Sequence, residues 1–170
     1  HPPAPDEPIA GQHVPVDKGG EELLGKNPRQ IHDIGVSMAF VPEDRLGMGL
    51  VGSMGMADNM MLKTYRSGRG PLLDRKPPRQ LAERVKEELD VLTPSINTPV
   101  RRLSGGNVQK VLVGREIAQN PSVLMTAYAV RGLDINTSYT IYNLLTAQKL
   151  KGVAVIYAVS YTHLRAHETS

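Results

Sequence analysis

The chain has 170 residues, of which 40% are hydrophobic and 22% are charged, an ordinary balance for a globular domain. Its formal net charge of +3 is too small to indicate nucleic-acid binding. The absence of cysteine excludes disulfides and cysteine-based zinc sites, and no apolar run approaches the roughly 20 residues that span a bilayer.

The N-terminal part of the chain predicts one strand between two irregular segments. Residues 1–12 are rich in proline and are expected to be disordered. Residues 34–41 (IGVSMAFV) form an apolar run that is typical of a buried strand and that Pro42 ends. Residues 42–58 contain five glycines or prolines and therefore predict a loop.

The next predicted element is an amphipathic helix over residues 79–92, after a flexible stretch at 66–78. Its sequence, RQLAERVKEELDVL, repeats apolar residues at helical spacing and pairs acidic with basic residues four positions apart. The segment TPSINTP then breaks the helix. The side chains expected on the buried face of this helix are Leu81, Val85, Leu89 and Leu92.

The C-terminal part of the chain alternates helices with apolar strands. A helix is expected at about 107–119, followed by a strand at 122–130, a helix at 138–150 and a strand at 152–159. Because both strands are continuously apolar, this order predicts a right-handed parallel crossover. The side chains expected to face the core from the second helix are Ile141, Leu144, Leu145 and Leu150.

A Ser-Gly-Gly turn stands directly before the helix at 107–119, within the stretch RRLSGGNVQK (101–110). Two glycines let a backbone approach a phosphate closely, and Ser104 can cap the helix while it offers a hydroxyl. The positive end of the helix dipole also favours negative charge. Taken alone, however, the same pattern is an ordinary capped helix start.

Three further motifs accompany the turn in a fixed order. VPEDR (41–45) lies upstream, Gln109 and Lys110 follow the turn, and RGLD (131–134) lies downstream. This set resembles the ATP-binding domain of ABC transporters, and PEDR with LSGGN-x-QK is similar to the second ATP-binding half of sugar and nucleoside importers. The resemblance implies an α/β fold of the P-loop NTPase type, with a parallel sheet core, over residues 13–158. It places a helical subdomain at about 59–119.

The resemblance assigns a role to each matching residue. Glu43 stands where other members have the Q-loop glutamine, which couples the nucleotide state to the membrane subunit. Two halves pack head to tail in this family, and each signature loop closes over the ATP that the other half holds. The nucleotide-binding residues implied in the signature loop are Ser104, Gly105, Gly106 and Asn107. The residues implied in the D-loop, which touches the partner half, are Arg131, Gly132, Leu133 and Asp134.

The catalytic acids of the family have no counterpart in this chain. In hydrolytic members, the strand before the D-loop ends in an Asp-Glu pair that organises magnesium and polarises the attacking water. Ala127 and Tyr128 occupy those positions here, so the Walker B motif is degenerate, and no catalytic residue or metal ligand is expected. We interpret the substitution as inherited, since it is similar to the nucleoside-importer type; a random sequence error is the alternative.

A match to the P-loop pattern occurs at Gly20–Asn27 (GEELLGKN), but we interpret it as a false one. Asn27 replaces the hydroxyl residue that holds magnesium, and two glutamates would face the phosphates. The segment resembles the region that follows the true P-loop in the family. The Walker A motif is therefore expected upstream of His1, and the chain is expected to be truncated at both ends.

Residues 159–170 break the apolar pattern abruptly. They look like a translated sequencing adapter, so we expect a non-native tail; a genuine polar terminus is the alternative. His163 and His167 stand four positions apart, a spacing that could hold a metal, but we interpret the pair as accidental.

These patterns predict a fragment of the energy-coupling ATP-binding subunit of an ABC importer for simple sugars or nucleosides. The intact protein is expected to be an ABC-type ATPase that uses ATP and Mg²⁺ on the cytoplasmic face of a prokaryotic plasma membrane; the fragment alone is expected to bind neither and to be inactive. The expected partners are the second ATP-binding half, the permease subunits and, indirectly, a solute-binding protein, without nucleic acid. Two alternatives stay open, a non-transport ABC-type ATPase and a structural fragment without a nucleotide role.

Overall fold

The computed structural model describes residues 30, 33, 35–64 and 74–158. The chain divides into two compact units, His1–Ser37 and Met38–Ser170. In the first unit, residues 30 and 33 are helical and Gly35 has a left-handed backbone with a φ of +83°. The second unit contains the elements that position the site.

The second unit alternates strands with helices, as the α/β prediction requires. The described strands are β1 (Met38–Val41), β2 (Val123–Ala127) and β3 (Ala154–Ala158). The described α-helices are α1 (Met56–Thr64), α2 (Lys76–Glu88), α3 (Gly105–Ile117) and α4 (Ile135–Leu150). A π-helical turn at Arg45–Gly49 precedes α1, and a 3₁₀ turn at Val100–Arg102 precedes α3.

The described strands form one parallel sheet in the order β1-β2-β3. Val41 pairs with Thr126 and Thr126 pairs with Tyr157, so the carboxyl ends of the strands meet at one edge. Helix α4 connects β2 to β3, and the predicted parallel pairing of these two strands is confirmed. Residues that follow β1 and β2 in the sequence are therefore close together in space.

Helix α3 lies at the centre of the packing. Its residues from Asn107 to Glu116 are buried, apart from the half-buried Lys110. Gly114 lies so close to α2 that a Cβ on it would come within 2.9 Å of the Val85 side chain. The largest fully buried apolar side chains of the described residues include Val41, Leu50, Met56, Met60, Leu112, Leu124, Ile141 and Leu145.

The predicted loop over residues 42–58 is wrong at two places. The Arg45–Gly49 segment forms a helical turn, and α1 begins at Met56. The fully buried Asn59 holds this region in place, because its side-chain amide accepts a hydrogen bond from the Val51 amide at 2.8 Å and donates to the Val51 carbonyl at 3.1 Å. The glycines and prolines of this segment indicate a flexible backbone. The hydrogen bonds from the buried Asn59 side chain restrict that flexibility.

Helix α2 begins earlier than predicted, at Lys76, because Pro77 and Pro78 occupy first-turn positions that need no amide donor. It also ends before Leu92, since Asp90 adopts a left-handed φ of 49°. Leu92 is 70% exposed, so its predicted place on the buried face is wrong. The other side chains predicted for that face belong to the core or pack against it.

Two predictions about the C-terminal elements are also wrong. Leu150 is 85% exposed, because it stands in the last turn of α4, whereas Ile141 and Leu145 are buried as predicted. Strand β3 is predicted to be buried, but its side chains are exposed or half-buried. The reason is its place in the described sheet, where it pairs with β2 alone.

None of the helices that the structure describes is long and apolar enough to cross a membrane. Three predictions concern residues outside the described part of the chain. They are the predictions for residues 1–12, for the P-loop-like match at Gly20–Asn27, and for the tail with His163 and His167.

Candidate functional site

The Ser-Gly-Gly turn forms the N-terminus of α3. Ser104 has an extended backbone, with φ −62° and ψ 156°, and its Oγ accepts a hydrogen bond from the Asn107 amide at 3.4 Å. The predicted serine cap is therefore present. Because Ser104 and Gly105 are exposed, an anion can reach the first-turn amides and the positive end of the helix dipole.

The side chain of Asn107 points into the protein. Asn107 is 8% exposed, and its Nδ2 donates to the Ser104 Oγ at 2.9 Å. Its Oδ1 accepts a hydrogen bond from the Leu92 amide at 3.1 Å. Asn107 thus ties the signature turn to the segment that follows α2, and its predicted contact with nucleotide stays a prediction.

The two glycines of the turn have different surroundings. A Cβ on Gly106 would come within 3.0 Å of the Thr137 Oγ1 in α4, so this glycine permits close packing of α3 against α4. A Cβ on Gly105 would meet nothing closer than the Arg45 Nη1, at 3.6 Å. A side chain can therefore be added at Gly105 without disturbing the contact between the two helices.

Asp134, the last residue of the predicted D-loop, caps α4. Its Oδ2 accepts from the Thr137 hydroxyl at 2.6 Å and its Oδ1 accepts from the Thr137 amide at 2.9 Å; these bonds, the hydroxyl first, hold the pKa of Asp134 below its ordinary value. Before it, Gly132 has a left-handed φ of 70° and Leu133 packs against the core. Because Thr137 also lies against Gly106, the predicted D-loop and the predicted signature turn meet at one side chain.

We expect the Asp134 cap to give the first turn of α4 a pH dependence that Asp134→Asn removes. The folded pKa is depressed, so the contribution of the carboxylate is present at neutral pH and is lost as the pH falls below about 4. Hydrogen exchange of the Thr137 amide at pH 7 and pH 3, corrected for the intrinsic rate, should show a larger loss of protection in the natural chain than in the variant. Equal losses would contradict the expectation.

The structure brings the predicted Q-loop position next to the D-loop. Glu43, which follows β1, forms an ion pair with Arg131, which follows β2. The Arg131 guanidinium also lies 5.3 Å from the centre of the Tyr128 ring, within the range of a cation–π interaction. Glu43 and Arg131 are 88 positions apart in the sequence, and they meet because their strands end at the same edge of the sheet.

Ala127 and Tyr128, the positions predicted to form a degenerate Walker B motif, lie at this edge as well. Ala127 is the last residue of β2, which ends before the predicted residue 130 because Tyr128 adopts a left-handed φ of 50°. Neither side chain carries a carboxylate. In residues 35–64 and 74–158 there is also no cluster of His, Cys, Asp or Glu that could hold a metal ion. A magnesium ion therefore does not fit these two positions.

No protein-family model matches the chain. Among curated proteins, a ribose import ATP-binding protein of Streptomyces coelicolor is 37% identical over 147 residues, which cover 84% of this chain and 28% of that protein. An arabinose import ATP-binding protein of Burkholderia ambifaria is 36% identical over 149 residues, which cover 86% of this chain and 28% of that protein. The chain thus spans little more than a quarter of the length of these relatives.

Solved structures share the architecture. A dimeric ATP-binding cassette in a post-hydrolysis state, bound to ADP and Pi, matches with a TM-score of 0.64 and 20% identity over 83% of this chain and 60% of that one. A nucleotide-free cassette from an ABC transporter matches with a TM-score of 0.60 and 19% identity over 84% of this chain and 57% of that one. The chain has the fold of an ABC ATP-binding cassette. The fold class and the resemblance predicted from the motifs are confirmed.

Three residues near the predicted site of this cassette have no role in the sequence prediction: Arg45, Gln109 and Thr137. Arg45 Nε donates to the Gln109 Oε1 at 3.0 Å, and Gln109 Nε2 donates to the Ala129 carbonyl at 2.6 Å. Arg45 and Gln109 belong to motifs that carried the resemblance, VPEDR and LSGGN-x-QK, and this membership is the signal that could have identified them. No pattern in the sequence points to Thr137.

A buried ionic cluster lies further along α3 of the cassette. Glu116 is fully buried, and its carboxylate pairs with Arg115 at 2.8 Å and with Lys63 at 3.2 Å. Gln119 donates to the same carboxylate at 3.0 Å, and Arg115 donates to the Gly49 carbonyl at 2.8 Å. The cluster therefore joins α3 to α1 and to the π-helical turn.

The ionic cluster forms part of the wall of an open pocket of about 400 Å³. The apolar part of the wall includes Phe40, Met48 and Leu62, which are 42%, 76% and 42% exposed. The pocket thus combines accessible apolar side chains with charged groups held in fixed positions by α3.

Proposed function

We propose that this chain is part of the energy-coupling ATP-binding protein of an ABC importer for simple sugars or nucleosides. The names of its relatives, which are ribose and arabinose import ATP-binding proteins, support this class of solute. Its place in the second of two ATP-binding halves rests on the PEDR and LSGGN-x-QK motifs. The solute itself is chosen by other subunits.

In this proposal, the chain contributes the signature loop to an ATP molecule that the other half holds. One observation carries the proposal: the exposed Ser104 and Gly105 form the N-terminus of α3, while Ala127 and Tyr128 replace the catalytic acids. The Ser104 hydroxyl and the first-turn amides would bind the terminal phosphate and stabilise the charge that develops during its transfer. ATP supplies the phosphoanhydride bond, and the partner half supplies its magnesium ligands and catalytic base.

The remaining partners follow from the same proposal. Permease subunits would contact the pocket beside Phe40, Met48 and Leu62, where accessible apolar side chains adjoin the segment that leads to Glu43. A solute-binding protein would act indirectly through the permease, and nucleic acid has no part. The assembled protein would be peripheral, on the cytoplasmic face of a prokaryotic plasma membrane, and it would use ATP with Mg²⁺.

A disulfide crosslink tests the proposal in the intact protein. Ser104→Cys is combined with a cysteine in the P-loop of the other half, in a background from which other cysteines have been removed; the chain itself contains none. We expect the crosslink to form when ATP is bound and hydrolysis is blocked, and to be weak without nucleotide. Mass spectrometry of the joined peptides gives the readout.

Leu150→Cys is the matched control. Leu150 is 85% exposed, so a thiol there is accessible, as at the exposed Ser104, but it lies at the far end of α4, about 22 Å along the helix axis from Ile135. This control should not crosslink to the P-loop under either condition. A crosslink at position 104 that does not depend on nucleotide, or equal crosslinking at both positions, would refute the proposed trans arrangement.

A further inference from the structure

Four polar side chains join three separate segments of the cassette. Glu43 and Arg45 follow β1, Gln109 lies in the second turn of α3, and Arg131 follows β2. Arg45 donates to the Gln109 Oε1 through its Nε, at 3.0 Å, and to the Arg131 carbonyl through its Nη2. Glu43 pairs with the Arg131 guanidinium. The Q-loop position, the signature helix and the D-loop thus share one network.

The inner part of this network consists of the buried Gln109 and the half-buried Arg45. Gln109 is 1% exposed, and both ends of its amide are used, since Oε1 accepts from Arg45 and Nε2 donates to the Ala129 carbonyl at 2.6 Å. Burial lowers the pKa of the Arg45 guanidinium below its ordinary value, but an arginine stays charged at neutral pH. A shift of the segment after β1 would therefore break charge-assisted bonds to both α3 and the D-loop.

The outer part of the network is exposed. The side chains of Arg131 and Glu43 are 62% and 48% exposed, so solvent screens their attraction and the pair contributes little to folding stability. The Tyr128 ring, 5.3 Å from the guanidinium, restricts where the Arg131 side chain can lie. The pair adds little stability, but the aromatic ring orients it and it joins two loops. It is therefore suited to holding residues 131–134 in place.

We propose that Arg131 is a positioning residue, which holds residues 131–134 against the segment after β1 through Glu43. Through Arg45 and Gln109, the same network fixes the distance between the D-loop and the signature turn, so that both meet the partner half's ATP together. This inference rests on the trans-acting signature loop proposed above. Tyr128 has a structural role in this arrangement, since its ring orients Arg131.

Charge reversal in the intact, permease-bound ATP-binding protein tests the positioning role. Arg131→Glu and Glu43→Arg should each lower the ATPase kcat by roughly 3- to 30-fold, because a solvent-screened pair restrains the loop weakly and charge reversal adds repulsion of similar size. The KM for ATP should change less, since the role proposed for Arg131 is to position the loop and not to bind the nucleotide. The double variant restores the ion pair in the opposite sense and should recover a large part of the lost kcat.

Lys151→Glu provides the matched control, because it makes the same change of charge at the far end of α4. It should leave kcat near the natural value. Thermal unfolding of every variant should stay close to that of the natural protein. A parallel fall in the unfolding midpoint and in activity, or a double variant as impaired as the worse single one, would overturn the positioning role.

A further variant distinguishes this inference from the function on which it rests. Gly105→Asp tests the trans-acting signature loop directly and leaves both Glu43 and Arg131 unchanged, although its Cβ would lie 3.6 Å from the Arg45 Nη1. If Gly105→Asp abolishes ATPase activity while both charge reversals are active, the positioning inference fails and the proposed function survives. If all three variants are active, both fail.

Discussion

Gly105→Asp in the intact ATP-binding protein should lower the ATPase kcat by roughly 10²- to 10³-fold, and solute import should fall with it. The carboxylate would stand at the exposed N-terminus of α3, where the phosphate of the partner half's ATP is expected to bind. It would repel that phosphate and occupy its place. Steady-state ATPase assays with purified protein give the rate, and a separate binding measurement gives the affinity for ATP.

The surroundings of Gly105 make this loss of activity interpretable. A Cβ there lies 3.6 Å from the Arg45 Nη1, and an acid in the first turn of a helix is favourable, so the variant should be as stable as the natural protein. Gly106→Asp is a poorer test, because its Cβ would come within 3.0 Å of Thr137 and disturb the packing of α4. Lys151→Asp, which adds an acid at the far end of α4, is the control and should be active. Near-normal turnover in Gly105→Asp would refute the role of the signature loop.

Glu116→Leu should destabilise the chain by about 3–5 kcal/mol, because it leaves the buried Arg115 guanidinium without its carboxylate. This loss is a large fraction of the roughly 5–15 kcal/mol that holds a typical domain together. Urea unfolding followed by circular dichroism measures the difference. If the variant has no cooperative transition, Glu116→Gln, which keeps the shape and loses the charge, should give a smaller but measurable decrease.

Two matched variants separate the buried pair from its exposed neighbour. Lys63→Met removes the partner whose side chain is 38% exposed and should change the free energy of unfolding by less than about 1 kcal/mol. Arg115→Met combined with Glu116→Leu replaces both buried charges, and it should be more stable than Glu116→Leu alone. If Glu116→Leu and Lys63→Met destabilise the chain equally, the buried pair contributes no more to the free energy of unfolding than its exposed neighbour does.

The regular elements with strong periodicity were predictable from sequence, and their ends were not. The α2 helix follows from its apolar spacing, but Leu92 was misplaced because the pattern does not reveal that Asp90 turns left-handed. Helix α1 was not predicted, because the glycines and prolines of residues 42–58 indicated a loop. The buried Asn59, which orders the preceding segment by binding the Val51 backbone, gives no periodic signal. The exposure of β3 depends on which strands lie beside it in the sheet, and strand order is not local information.

The candidate site was predictable as a set of motifs and not as a set of contacts. Ser104 as a helix cap follows from local sequence, since the bond to the Asn107 amide spans three positions. The pairing of Glu43 with Arg131 spans 88 positions and requires the parallel register of β1 with β2. The different surroundings of Gly105 and Gly106 depend on where Thr137 lies, and a run of two glycines cannot distinguish them.

The glycine at position 114 also bears on how this sequence can change over time. A Cβ there would come within 2.9 Å of Val85 and 3.2 Å of Leu89, so any larger residue at 114 requires space that α2 occupies. Overpacking of this kind typically costs about 1–3 kcal/mol, unless a neighbour shrinks at the same time. We therefore expect the sizes of residues 114 and 85 to vary in opposite directions among natural variants. One helix should carry a small residue at its position whenever the other carries a branched one.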